Sequence, residues 1–135
     1  MLIFNPLRGR ISQFGTAPIS DIWKKSYMKK IENSDLVYGA TEGIIENGNA
    51  YVEMMSVRPG YKRNSINSKM IDALQRTSDF RKNNAQVVWD SPTEDGMKFI
   101  KSYSGDKAKF WFGKSGHRPK NFLKLYPDGN ERIVD

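Results

Sequence analysis

The chain has no cysteine and only one histidine in 135 residues. The first absence excludes disulfides, zinc-thiolate sites and thiol nucleophiles, and it leaves a cytoplasmic address as the expectation. The lone histidine, His117, falls in the stretch KSGHRPK between two apolar segments, where a surface loop residue is expected and a catalytic base is not. Long apolar runs are missing as well. The opening MLIFNPLRGR lacks the apolar core of a secretory signal, and no later stretch approaches the length that spans a bilayer, so a soluble protein with no membrane partner is expected. Internal repeats and low-complexity tracts are also absent.

What is present is positive charge. Lys and Arg number 22 against 15 Asp and Glu, a formal net charge of +7. That balance suits an anionic partner: nucleic acid, an acidic surface or a phosphorylated cofactor. With 38% hydrophobic residues the length supports one core, so a single domain over 1–135 is expected, with residues from about 126 to 135 as a fraying polar tail.

Periodicity orders the elements as strand, helix, strand, strand, helix, strand, helix, strand, strand. MLIF reads as a short strand closed by Asn5-Pro6 and a Gly/Arg loop. From Ser20 to about Asn33, Ile22, Trp23, Tyr27 and Ile31 recur at helical spacing, with Lys24, Lys25, Lys29 and Lys30 on a solvated side. LVYGATEGII and AYVEMMSV alternate around the turn signal ENGN and predict an antiparallel hairpin. Strict alternation along the second strand puts Tyr51, Glu53, Met55 and Val57 on one face, with Val52, Met54 and Ser56 on the other. A helix carrying Ile66, Met70, Ala73, Leu74 and Thr77 follows, then the strand AQVVW, the turn DSPT and a helix with Met97, Ile100 and Tyr103 on one face. AKFWF and NFLKLY read as the last two strands. The fold class expected is mixed α/β, a mostly antiparallel sheet flanked by helices.

The stretch VRPGYKRNSINSK, residues 57–69, places two adjacent cations where a strand turns into a helix. A helix start exposes unpaired amides and the positive end of the macrodipole, about half an elementary charge, so a phosphate group is bound there readily. Lys62, Arg63, Asn64, Ser65, Ile66, Asn67 and Ser68 would form such a seat for a pyrophosphate. Equally, Asn64 or Ser65 could simply cap the helix while the cations stay solvated.

The segment AYVEMMSVRPGYKRNSINSKMIDALQ resembles the acyl-CoA-binding core of the GNAT family of N-acetyltransferases. There a strand ending in V-x-P-x-Y-R leads into R-x-x-G-x-G/A and a helix. Val57, Pro59 and Tyr61 match, Lys62 takes an arginine position, Ile66 lies between the two glycine positions, and Met70, Ile71 and Leu74 match on the helix. VVWDSPTEDGMKFIKSYSG resembles the family's next segment, a strand followed by N-x-x-A-x-x-x-Y-x-x-x-G. Ser65 and Asn67 replace the glycines, and a positive φ at Ser65 would cost on the order of 1 kcal/mol. Thr93 stands at the asparagine position, Gly96 at the alanine and Ile100 at the tyrosine that acts as general acid.

The resemblance implies acetyl-CoA as cosubstrate, without a metal, held by the backbone of Met55, Ser56 and Val57, by residues 62–68 and at Thr93. Transfer to an amine requires the free base of a group whose pKa is about 10.4, so a base is needed. Glu53, on the strand leading to the turn, is the candidate; an exposed strand glutamate is the plainer reading. Tyr103, one helical turn after Ile100, is the candidate acid, against a plain core aromatic.

Three functions follow. The first is an acetyl-CoA-dependent N-acetyltransferase acting on an unidentified primary amine of a small molecule or protein. The second is a GNAT-like fold without catalysis, serving as a binding or structural module in an assembly such as a phage particle; CoA binding without turnover distinguishes it. The third is nucleic-acid binding by KAKFWFGKSGHRPKNFLK, marked by steep salt dependence. Phe110, Trp111 and Phe112 are consecutive and so point to both faces of a strand, as in a buried strand.

Overall fold

The computed structural model describes residues 1–15, 18–61, 65–113 and 118–128. Its centre is one six-stranded sheet in the order β2-β1-β3-β4-β5-β6, formed by β1 (Leu2–Asn5), β2 (Arg10–Gln13), β3 (Gly39–Glu46), β4 (Asn49–Val57), β5 (Gln86–Asp90) and β6 (Phe110–Trp111). The first four strands pair antiparallel, while β4–β5 and β5–β6 are parallel. This is the expected α/β class, a mostly antiparallel sheet flanked by helices. Among the described residues no helix is long and apolar enough to cross a membrane.

Local chemistry accounts for the hairpins. Asn47 and Gly48 both take positive φ, 52° and 78°, the geometry a two-residue turn between twisted strands demands. The Gly/Arg segment after Asn5-Pro6 is not a plain loop: Asn5 Oδ1 accepts the Leu7 amide at 3.0 Å and the chain returns as β2, the outer strand of the sheet.

One face of the sheet carries α2 (Ile66–Gln75), α3 (Ser78–Lys82), α4 (Glu94–Ser104) and α5 (Phe122–Leu125). Ile71, Leu74, Met97, Ile100 and Phe122 meet Ala50, Val52, Trp89 and Phe110 in the main core. The predicted stripe of α2 is buried from Ile66 to Leu74. Thr77 lies beyond it and starts α3, its hydroxyl accepting the Phe80 amide at 3.3 Å. The other face is covered at the β1–β3 end by the segment from Ile19 to Val37.

Two expected elements differ. Residues 20–33 do not form one helix: a 3-10 turn (Ile19–Asp21), the single-turn α1 (Lys25–Met28) and a second 3-10 turn (Ser34–Leu36) share the span. Lys24 is extended and Asn33 is left-handed. Ile19, Ile22 and Ile31 are nevertheless buried, so tertiary burial satisfies the apolar period without the cost of nucleating one long helix. NFLKLY is helical, not a strand. Phe122 and Tyr126, four residues apart, stack at 5.7 Å and both are fully buried, while Leu123 is exposed. Tyr126, where the polar tail was expected to begin, belongs to the core, and its hydroxyl donates to the Gly105 carbonyl at 2.9 Å.

Candidate active site

The parallel register of β4 and β5 runs from Asn49↔Gln86 to Val52↔Trp89 and stops. β4 continues to Val57 with its other edge still on β3, while β5 ends at Asp90 and the chain turns at Ser91, whose φ is 46°. The two strands therefore part. Between them lies a cleft of about 610 Å³, walled by residues 52–57 of β4, by Trp89 to Thr93 and by Phe99 and Ile100 of α4. Along Glu53–Val57 the edge of β4 facing this cleft has no partner strand among the described residues. A row of main-chain donors and acceptors thus borders a cavity at the carboxyl end of the strands, the usual place for ligands in parallel sheets.

A β-bulge sits at the parting point. Glu42 pairs with Met54 and Gly43 with Val52, which leaves Glu53 as the extra residue. The bulge shifts the alternation. Ala50 and Val52 face the helices, and so do Met55 and Val57, which pack near Ile66 and Met70. Glu53 does not share their face as strict alternation predicted; it projects from the bulge and is exposed. Thr41, the one buried polar side chain of the described core, donates its hydroxyl to the Met54 carbonyl at 3.0 Å. That bond satisfies a carbonyl the bulge displaces, worth about 1 kcal/mol.

At the end of β4, α2 begins with Ser65 at φ 56° and ψ 29°, and the Ser65 side chain makes no capping bond. Ser65 thus holds the N-cap position, as the plain reading allowed, without capping the helix through its hydroxyl. The amides of Ile66, Asn67 and Ser68 have no intrahelical acceptor by position, and among the described residues none takes them. Asn67 lines the cleft, and its Oδ1 is buried without a hydrogen-bond partner. A buried acceptor of this kind calls for a donor from a ligand or water. Ile66 is a core residue, packed near Phe4 and Met70. Lys62, Arg63 and Asn64 lie outside the described residues.

Glu53, Met55, Ser56, Val57, Asn67 and Thr93 are brought together around one cleft. Thr93 also caps α4, its hydroxyl accepting the Gly96 amide at 3.1 Å. Ile100, which the GNAT resemblance put at a tyrosine position, contributes a buried apolar wall. Tyr103 is not brought to the cleft wall. It lies between α4 and α2, stacks on Phe99 at 5.6 Å, donates to Asp72 Oδ1 at 2.6 Å and accepts from Gln75 at 3.1 Å. Burial, and then the bond to Asp72, push its pKa up to about 12.

Sequence reasoning assigned no site role to several cleft residues, Asp90 and Trp23 among them. Asp90 ends β5 at the mouth; a carboxylate at a strand's carboxyl end was the available signal. Trp23 reaches the cleft from the opposite layer, its indole N–H donating to Ser56 Oγ at 2.8 Å, and no local pattern announces it. Arg58 holds Trp23 from behind, with its guanidinium 5.7 Å from the Trp23 ring and 5.9 Å from Tyr38. The same guanidinium donates to the carbonyls of Ser34 at 2.6 Å and Asp35 at 3.2 Å. Tyr38 in turn packs on Tyr61 at 4.4 Å. Charge repulsion with the Tyr61 phenol, and then the hydrogen bond between the two, raise the pKa of Tyr38.

The ESCO1/2 acetyl-transferase family matches residues 51–112. That segment is similar to an acetyltransferase domain. It runs from β4 through the helix start and β5 to the strand after α4, so it contains nearly all of the cleft wall. The match supports acetyl transfer as the general chemistry and acetyl-CoA as the donor that chemistry uses. Neither the curated proteins nor the solved structures contain a significant match to the chain.

Proposed function

We propose that this chain is a GNAT-type N-acetyltransferase that moves an acetyl group from acetyl-CoA to a primary amine. One observation carries the reading: β4 and β5 part at Val52 and Trp89, beside a bulge, and the chain runs on from the freed edge of β4 to the start of α2, whose first amides have no acceptor among the described residues. An extended chain with amide groups, such as pantetheine, pairs with such an edge as an added strand would. The amides of Ile66, Asn67 and Ser68 suit the pyrophosphate, with Lys62, Arg63 and Asn64 just before them and Ser65 at the turn. The orphaned Asn67 oxygen fits the same ligand, because a pantetheine amide N–H would satisfy it.

Acetyl-CoA supplies an acetyl group activated as a thioester. In this proposal the main chain of Met55, Ser56 and Val57 orients the thioester, and N–H groups near the bulge polarise its carbonyl. Thr93 borders the same cleft. Glu53 takes the proton of the incoming amine, directly or through water; with a pKa of about 10.4, only about one amine in a thousand is free base near neutral pH, so this step is needed. The leaving thiolate demands less. A thiol pKa of about 8.5 makes it a competent leaving group with ordinary hydrogen bonding, which fits a cleft with Ile100 in place of tyrosine. Tyr103, fully engaged by Asp72 and Gln75, stabilises the contact of α4 with α2 in this scheme.

Titration calorimetry with CoA tests the proposal without needing the acceptor. Binding that disappears in a Lys62→Ala/Arg63→Ala double variant is expected. Absence of heat and of thermal stabilisation at millimolar acetyl-CoA would sink it. A second reading, a binding module without catalysis, is favoured by the left-handed Ser65 where glycine suits best and by Ile100. CoA binding with no turnover over a broad amine panel selects it.

A further inference from the structure

None of the 22 Lys and Arg residues lies in β3, β4, β5 or β6. These four strands instead carry Glu42, Glu46, Glu53 and Asp90. In a chain of net charge +7 the centre of the sheet is its acidic part, and the sheet has one face the helices do not cover. Ala50, Val52 and Ile45 point into the helical core, so their strand neighbours Ile44, Glu46 and Tyr51 point away from it. Register places Glu42 beside Met54 and Ile44 beside Tyr51 on this outer face. The segment Ile19–Val37 reaches Ala40 and, through Trp23, Ser56; beyond these Ile44 and Met54 are 53% and 51% exposed. Tyr51 and Trp111 meet edge to face at 5.7 Å across β5, adding an aromatic floor. Lys109, the cation next to β6, is engaged by Gln86.

We infer that this outer face docks a cationic polypeptide segment carrying apolar side chains. The carboxylates select positive charge and oppose nucleic acid or any other polyanion. The exposed Ile44 and Met54 select a partner with apolar side chains of its own, because a small polyamine would leave them in water. A polypeptide meets both demands. Met54 and Asp90 border the cleft as well as this face, so a bound segment would bring a lysine to the cleft mouth; that clause rests on the acyl-transfer reading, whereas the docking itself does not.

The test uses the full chain and a fluorescein-labelled peptide of Lys-Leu-Lys-Gly repeats, followed by anisotropy and by amide chemical-shift mapping. Expected are shifts clustered on Glu42–Glu46 and Tyr51–Met54, binding that weakens as salt rises, and an affinity lowered by about ten-fold or more in an Ile44→Lys/Glu46→Lys variant. Both positions are exposed, and circular dichroism together with an unchanged CoA titration shows that the variant is folded and separates this proposal from the cofactor one. Binding weaker than about 1 mM, shifts elsewhere, or an unaffected variant overturns it. Spermine giving the same footprint at equal affinity overturns it in favour of a small polycation. A concentration-dependent dimer that the variant abolishes overturns it in favour of a second copy of this chain.

Discussion

Gly43 of β3 lies so close to the Tyr51 carbonyl oxygen of β4 that a Cβ in place of its hydrogen would stand 1.9 Å from that atom. The obstacle is main chain, so it cannot swing aside as a side-chain tip would. Gly43 thus permits the close strand approach on which the bulge at Glu53 depends. Gly43→Ala is expected to cost about 2–4 kcal/mol by forcing the strands apart, and to weaken acetyl-CoA binding with it. Urea denaturation reads the first effect and calorimetry the second. An unshifted midpoint would show that the strands relax freely and that the bulge does not need a glycine.

The opposite expectation holds for Ser65. Its φ of 56° places a Cβ where the backbone disfavours one. Ser65→Gly removes that strain at some cost in unfolded-chain entropy, so a net gain of about 0.5 kcal/mol is expected, along with tighter CoA binding. Thermal melts with and without CoA measure both, and a loss of stability would mean that the Ser65 side chain has a favourable contact outweighing its strain.

How much of this was legible beforehand depends on whether the deciding contact is local. The β3–β4 hairpin was readable because Asn47 and Gly48 tolerate the positive φ such a turn requires, and α2 because Ile66, Met70, Ala73 and Leu74 keep one period. The cleft residues on β4, Asn67 and Thr93 were reached through sequence motifs that are contiguous. The bulge was not, although a lone glycine within an alternating strand was its signal, because its cause is the cross-strand contact of Gly43 with Tyr51. The irregular path from Ile19 to Leu36 escaped for a similar reason. Helical spacing reports which residues are buried there, and the sheet, not the segment's own hydrogen bonds, decides its backbone. Phe122 and Tyr126 permit either helix or strand by composition; their edge-to-face contacts with Phe110 settle it.

Tyr103 makes alkaline pH a probe of the α2–α4 contact. Its pKa rises from 10.0 unfolded to about 12 folded, so the neutral phenol is the form the fold favours. Its stabilisation is complete below pH 10 and is lost as pH climbs from 10 towards 12. Allowing for solvent screening of a partly exposed group, the loss is about 1 kcal/mol. Tyr103→Phe, which has no phenol to ionise, should show a flatter stability profile above pH 10, measured by denaturant midpoints at successive pH values. Equal slopes for the two proteins would mean that neither burial nor the Asp72 bond holds the Tyr103 phenol above its ordinary value.

Trp23 and Ser56 join the two layers across the cleft wall with a part-buried hydrogen bond. Trp23→Phe and Ser56→Ala should each destabilise, and a double-mutant cycle should return a coupling of about 0.5–1.5 kcal/mol. Additive losses would mean that the indole is held by Arg58 and packing alone.

Glu53 carries the proposed proton transfer, and its exposure at the bulge allows substitution without disturbing the core. Glu53→Gln keeps the size and removes the base. With an accepted amine, kcat is expected to fall by about 10²-fold or more, while the KM for acetyl-CoA stays within about two-fold because the main chain of β4 proposed to hold it is unchanged. The residual rate should rise tenfold for each unit of pH below the amine pKa, since the variant depends on amine already deprotonated in solution, whereas the rate of the unaltered protein should rise less steeply. A variant with the parent kcat and the parent pH profile would transfer the role to another cleft carboxylate, Asp90 at the end of β5 or Asp95 in the first turn of α4.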